Sequence, residues 1–146
     1  MSVNNEIKDQ IIAKIDALST VQVVYPSEHI NPKGWPAVFV KSTNLEGEFA
    51  SNAENSRVYG YRCTVAFPTG QDFIPTLEKE RLDYSERVVA NVLDEIINTI
   101  DTDFEMDTPV LFVNAADAEW GYIDYEGGTA EAVSVVLKVY TEKVIQ

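Results

Sequence analysis

The clearest pattern of apolar and polar positions predicts two helices. In residues 4–18, apolar side chains recur every three or four positions, which places them along one side of a helix: Ile7, Ile11, Ile12, Ile15 and Leu18. Residues 77–100 carry a broader apolar face, and charged side chains occupy the other side of this second predicted helix. The apolar face widens toward the C-terminal half, so we expect that half to press on a sheet.

A second pattern, alternation with a period of two, predicts strands. It is clearest from Tyr59 to Phe67, where aromatic and aliphatic side chains or Cys63 alternate with small or polar ones, as in a half-buried strand. Further strands are predicted at 20–25, 37–41, 110–116, 120–125 and 129–144. We expect 110–116 to pair with 120–125 through an Ala-Asp-rich turn, and Gly127-Gly128 to form the next turn.

Two stretches show neither period. Residues 42–56 are small and polar, and residues 68–76 begin with a Pro-Thr-Gly sequence that ends the preceding strand. We therefore expect two irregular loops, and a loop of about fifteen residues in a compact domain is usually functional or disordered.

These elements define an expected fold class. The predicted turns between strands are too short for crossover helices, so most neighbouring strands should be antiparallel. We expect an α+β fold with a single antiparallel or mixed sheet of four to six strands and two helices packed on one face. At 146 residues, the chain has the length of a single domain spanning 1–146.

Composition narrows the class of protein. The chain is 45% hydrophobic and 24% charged, which is ordinary for a globular domain. Its apolar runs are too short to span a bilayer, and its first ten residues, MSVNNEIKDQ, show no export signal. The one cysteine, Cys63, cannot form an internal disulfide. We expect a protein made in a reducing cytoplasm, with no membrane partner.

The distribution of charge adds to this picture. Eleven basic against 24 acidic side chains give a formal charge of −13, and no base lies between Arg87 and Lys138. The candidate acidic surface consists of Asp101, Asp103, Glu105, Asp107, Asp117, Glu119, Asp124 and Glu126. Such a field repels phosphate backbones and suits a basic protein partner or a wall along which DNA slides. A solvated face that aids solubility explains it equally well.

Residues that could carry chemistry are sparse. His29 lies in a proline-rich loop without a second ligand at useful spacing, and Cys63 falls on the apolar side of a strand without an activating base. The acids at 101–107 lack the glycine and the closing glutamate of a calcium loop. We therefore predict no catalytic residue, no metal ligand and no cofactor, and we expect the protein not to be an enzyme.

Five features of the sequence occur together: the N-terminal helix, the Pro-Ala-Val-Phe-Val strand at 36–40, the Glu-Asn-Ser-Arg-Val-Tyr-Gly-Tyr passage at 54–61, the second helix and the long strand after Gly127-Gly128. In these features, over about residues 7–144, the chain resembles the tail terminator, or tail completion, proteins of long-tailed bacteriophages. The family shares a fold more than a motif, and related neck, stopper or tail-tube subunits have a similar outline.

The resemblance implies a structural virion protein, made in the host cytoplasm, that forms a hexameric ring in the neck of the particle. The ring would cap the tail tube, stop its growth and provide the docking face for the head-connector protein. Double-stranded DNA would pass through without specific binding. Neighbouring subunits would be reached by the two predicted loops, whose candidate interface residues are Glu46, Glu48, Phe49, Asn52, Glu54, Gln71, Asp72 and Phe73.

Two other functions remain open at this point. A small ligand-binding module would hold its ligand under helix 77–100, in a pocket lined by Tyr59, Tyr61, Phe67, Trp120, Tyr122 and Tyr125. An acidic mimic of DNA that blocks a basic protein would also explain the charge.

Overall fold

A computed structural model describes residues 3–27, 31–51, 54–76, 83–102 and 110–144. Over these residues, two helices and five strands follow one another, with a short 3-10 helix at Gln71–Phe73 between the third strand and the second helix. In chain order they are α1 (Val3–Asp16), β1 (Val23–Tyr25), β2 (Ala37–Ser51), β3 (Glu54–Pro68), α2 (Tyr84–Thr102), β4 (Val110–Tyr125) and β5 (Gly128–Val144).

All five strands form one sheet in the order β1-β2-β3-β5-β4. β1 runs parallel to β2, and the other neighbours are antiparallel. β3 and β5 occupy the middle of the sheet and pair continuously from Glu54 opposite Val144 to Pro68 opposite Ala130. One mixed sheet with two helices confirms the predicted α+β fold class.

The main core lies between this sheet and the two helices. Ile7, Ile11 and Ile15 of α1 are buried, as the stripe in the sequence predicts. From α2 the core receives Val89, Val92, Leu93, Ile96 and Ile100, and from the strands it receives Val38, Val40, Tyr59, Tyr61, Cys63, Val65, Val133, Val135, Leu137 and Val139. Both helices therefore pack on the same face, here called the helix face, and burial of each such side chain contributes about 1.5 to 3 kcal/mol.

The opposite face, here called the open face, has a smaller apolar cluster at one end. Four alanines leave room there for larger neighbours, and the cluster consists of Ala37, Phe39, Ala66, Ala130 and Ala132. The rings of Trp35 and Tyr125 meet edge to face at 4.9 Å beside it, and Tyr25 stacks on Phe39 at 5.9 Å. The segment between β1 and β2 thus covers this end of the open face.

The prediction of an irregular loop at 42–56 is wrong. Residues 37–51 form β2 and residues 54–68 form β3, and their backbones pair from Ala37 opposite Ala66 out to Ser51 opposite Glu54. A polar strand gives no period-two hydrophobic signal because neither side of it needs to be apolar. Its backbone hydrogen bonds come from the neighbouring strand, which a pattern of side chains does not report.

Three other boundaries also differ from the prediction. Residues 110–125 form one strand, β4, with a register shift between Ala116 and Glu119 in place of the expected turn. β1 begins at Val23 and not at residue 20, and α2 extends to Thr102. The first residues of the predicted second helix, 77–82, lie outside the described part of the chain.

Candidate assembly surfaces

The structure separates the candidate interface residues into two groups. Glu46, Glu48 and Phe49 lie on β2 and Glu54 lies on β3, so they belong to strands and not to a loop. Gln71, Asp72 and Phe73 form the 3-10 helix after β3, where Asp72 and Phe73 are exposed. Asn52 lies outside the described residues. Their role in an interface stays a prediction.

The candidate acidic residues are also spread over several elements. Asp101 lies in the last turn of α2, Glu126 in the turn between β4 and β5, and Asp117, Glu119 and Asp124 on β4. Pairing places Glu119 opposite Ser134 and Asp124 opposite Thr129, so these two acids lie on different faces of the sheet. Asp103, Glu105 and Asp107 lie outside the described residues.

Exposed aromatic side chains mark the edge of the sheet. Tyr122 is 70% exposed, Trp120 is 47% exposed and Phe73 is 41% exposed. Trp120 and Tyr122 lie two positions apart on the edge strand β4, opposite Val133 and Glu131, and therefore share the helix face. Exposed aromatic residues beside an unpaired strand edge are typical of surfaces that other proteins cover. The alternation of the sequence placed both in a strand but did not predict their exposure.

A cavity of about 320 Å³ lies beside Tyr122, where α2 begins above the end of β3. This cavity, here called the Glu131 cavity, is also lined by Glu131, Glu86 and Ser85. Glu131 is only 9% exposed, and its Oε2 atom has no hydrogen-bond partner among the described residues. Burial raises the pKa of its carboxyl above the ordinary value, and the negative charge of Glu86 raises that pKa further.

Three side-chain donors near this cavity, among the residues that the structure describes, donate to other acceptors. The Ser85 hydroxyl donates to the Pro68 carbonyl oxygen at 2.7 Å, and the Thr69 hydroxyl donates to the Thr129 carbonyl oxygen at 3.1 Å. Arg87 Nε donates to Asp83 Oδ2 at 2.6 Å. The cavity therefore presents negative charge next to an exposed aromatic ring.

Positive charge gathers on the open face. Lys41 of β2 lies directly opposite Arg62 of β3, and Lys138 of β5 pairs with Gly60, two positions from Arg62. Arg62 and Lys41 are exposed. Arg62 also lines a groove of about 380 Å³ with Glu119, Ser134 and Val136. These three basic residues, here called the basic cluster, form a local positive surface on a chain of net charge −13.

The aromatic residues proposed for a ligand pocket do not come together. Tyr59 and Tyr61 belong to the closed core, while Tyr125 lies on the open face against Trp35. Trp120 and Tyr122 are exposed at the sheet edge. The described residues therefore do not form the pocket that the ligand-binding hypothesis requires.

Within the ranges described, no group of three or more His, Cys, Asp and Glu side chains is arranged to hold a metal ion. Neither helix, over its described residues, is long and apolar enough to cross a bilayer.

Comparison with known proteins identifies a shared fold. No protein-family model matches the chain, and no curated protein matches it. Among solved structures 28 chains match, and one of them belongs to a structure described as "Virion of native gene transfer agent (GTA) particle". The superposition has a TM-score of 0.51 at 8% sequence identity and covers 97% of this chain and 96% of that chain. At this identity the match shows that the two chains share a fold.

Proposed function

We propose that this chain is a structural subunit of a phage-like particle and that it acts as a tail terminator. In this role it forms a ring, hexameric as in the family it resembles, that caps the tail tube and stops its growth. The other side of the ring provides the docking face for the head-connector protein. The protein acts through assembly and not through catalysis, and it is made in the host cytoplasm and ends in the virion.

The observation that carries this proposal is the extent of the fold match. The chain and a chain of a gene transfer agent virion structure align over 97% and 96% of their lengths, so the similarity is not limited to one part of the chain. Virion components of this size work by surface complementarity, which needs no active site.

Two further features support an assembly role. The edge strand β4 exposes Trp120 and Tyr122, which a partner would cover. The net charge of −13 would let double-stranded DNA pass through a ring without phosphate contacts that hold it.

The proposal is tested by assembly experiments with the purified protein. Mass photometry and negative-stain imaging should show rings, either alone or on tail-tube protein, and tubes assembled in its presence should be capped and shorter. A protein that stays monomeric and never contacts tubes would contradict the proposal. A neck or tail-tube subunit, the second candidate, is distinguished in the same experiment, because a tube subunit would add to the tubes along their length instead of ending them.

A further inference from the structure

We propose that neighbouring copies of this chain contact each other head to tail, with Arg62 of one copy entering the Glu131 cavity of the next. The proposal rests on the ring-forming role proposed above and adds to it the two surfaces that meet. In this arrangement the buried carboxylate of Glu131 gains a positively charged partner, and the basic cluster lies at the interface between copies.

Among the described residues, none that lines the Glu131 cavity carries a positive charge. Glu131 is buried, one of its oxygens has no donor among the described residues, and Glu86 adds a second negative charge to the same cavity. The surrounding hydroxyls of Thr69 and Ser85 donate to backbone carbonyls. A buried acceptor without a donor is costly, so a donor from outside the chain would be bound favourably.

The charges and the aromatic ring that line the cavity suit an arginine side chain. A guanidinium group carries a permanent positive charge and several N–H donors, so it can bind Glu86 and Glu131 together. Tyr122 lines the same cavity and is 70% exposed, which leaves its ring available to an arriving side chain. Guanidinium groups also stack on aromatic rings, so this ring would hold the arginine against the carboxylates.

The chain itself carries an arginine in a suitable place. Arg62 is exposed on the open face, and Lys41 and Lys138 surround it with further positive charge. The Glu131 cavity lies on the helix face of the same sheet. An interface between two different patches of one chain is heterologous, and such interfaces build rings or filaments rather than closed pairs.

The net negative charge of the chain explains why the contact between copies needs a patch of positive charge. Two copies that each carry −13 repel each other at a distance, so a patch of opposite sign is needed to bring specific surfaces together. The basic cluster supplies that patch. The contact should therefore weaken as the salt concentration rises.

Charge reversal tests the contact. Arg62→Glu removes the entering side chain, and Glu86→Arg places a positive charge in the cavity. Each variant alone should increase the dissociation constant of the assembly about tenfold or more, measured by sedimentation and mass photometry. Lys33→Glu, at an exposed position between β1 and β2 and outside the basic cluster, makes the same change in net charge as Arg62→Glu and should assemble as the wild type does.

Mixing the two variants gives the sharper result. In a mixture, Arg62 of the Glu86→Arg copies enters the unchanged cavity of the Arg62→Glu copies. At the alternate contacts, the glutamate introduced at position 62 meets the arginine introduced at position 86, so opposite charges face each other there as well. The mixture should assemble more tightly than either variant does alone. Circular dichroism and thermal unfolding of each variant confirm that the fold is retained.

Two outcomes would overturn the inference, and they are distinguishable. If the wild type forms rings and both variants do so equally well, the head-to-tail contact is wrong while the proposed function stands. If the wild type stays monomeric and never contacts tubes, the proposed function fails and this contact fails with it.

Discussion

The Ser85 hydroxyl, in the first turn of α2, donates a hydrogen bond of 2.7 Å to the carbonyl oxygen of Pro68 at the end of β3. Ser85 is buried, and the bond joins the start of the long helix to a central strand of the sheet. At the other end of the helical layer, the Thr20 hydroxyl donates to the Glu95 carboxylate and joins the turn after α1 to α2. Polar contacts thus fix the position of α2, while apolar burial provides most of its attachment.

We expect Ser85→Ala to lower the free energy of unfolding by about 1 to 3 kcal/mol, because the variant loses the buried hydroxyl that donates to the Pro68 carbonyl oxygen. Urea unfolding followed by tryptophan fluorescence measures the change. Asn91→Ala, on the exposed side of the same helix, is the matched control and should shift the free energy by no more than about 0.5 kcal/mol. Equal effects of the two changes would show that the bond contributes nothing specific.

The turn between β4 and β5 should depend on Gly128. Its φ of 147° lies in a region that residues with side chains rarely adopt. Gly128→Ala should therefore destabilise the protein by about 1 to 3 kcal/mol. At Gly121, on β4, an added Cβ meets no atom within 4 Å, so Gly121→Ala should leave stability unchanged or raise it by up to about 1 kcal/mol. Thermal unfolding of both variants compares them, and an unchanged Gly128→Ala would contradict the strain.

Cys63 should be unreactive in the folded protein. It is fully buried in the core, and burial raises the pKa of its thiol to about 12. At pH 8 a disulfide reagent should leave the native protein unlabelled and should label one thiol per chain in denaturant, because the thiolate forms only after unfolding. Rapid labelling of the native protein would show that this part of the core opens readily.

The buried carboxyl of Glu131 should make stability depend on pH. Desolvation, followed by the negative charge of Glu86, holds the pKa of this carboxyl above the ordinary value of 4.5. In the pH window above 4.5, the folded state therefore binds more protons than the unfolded state. The free energy of unfolding therefore falls as the pH rises through this window, because the carboxyl ionises in a place that disfavours its charge. Below the window both states are protonated and the effect vanishes.

Glu131→Gln removes this ionisation. On dilute, dissociated protein, the variant should be more stable than the wild type at neutral pH, and the difference should shrink as the pH falls toward 4.5. Glu86→Gln should produce part of the same effect, because it removes the second cause of the raised pKa. Urea unfolding at several pH values measures both, and a variant that is less stable at neutral pH would contradict the prediction.

The sequence by itself determined the apolar elements of this protein. The spacing of Ile7, Ile11 and Ile15 places them on one side of a helix, and all three are buried. Tyr61, Cys63 and Val65 are alternate, buried residues of a strand. Burial repeats with the period of each element, which is why the sequence shows it. These patterns were enough to predict the α+β class and both helices on one face.

Only the tertiary structure decided the rest. The polar parts of β2 and β3, at 42–51 and 54–57, form strands because each supplies backbone hydrogen bonds to the other, and such pairing leaves no period in the sequence. Glu86, Tyr122 and Glu131 are separated along the chain and meet only because β4 and β5 pair beneath the start of α2. Periodicity reports which side of an element is buried, whereas the meeting of distant polar residues depends on strand register, which the folded sheet alone sets.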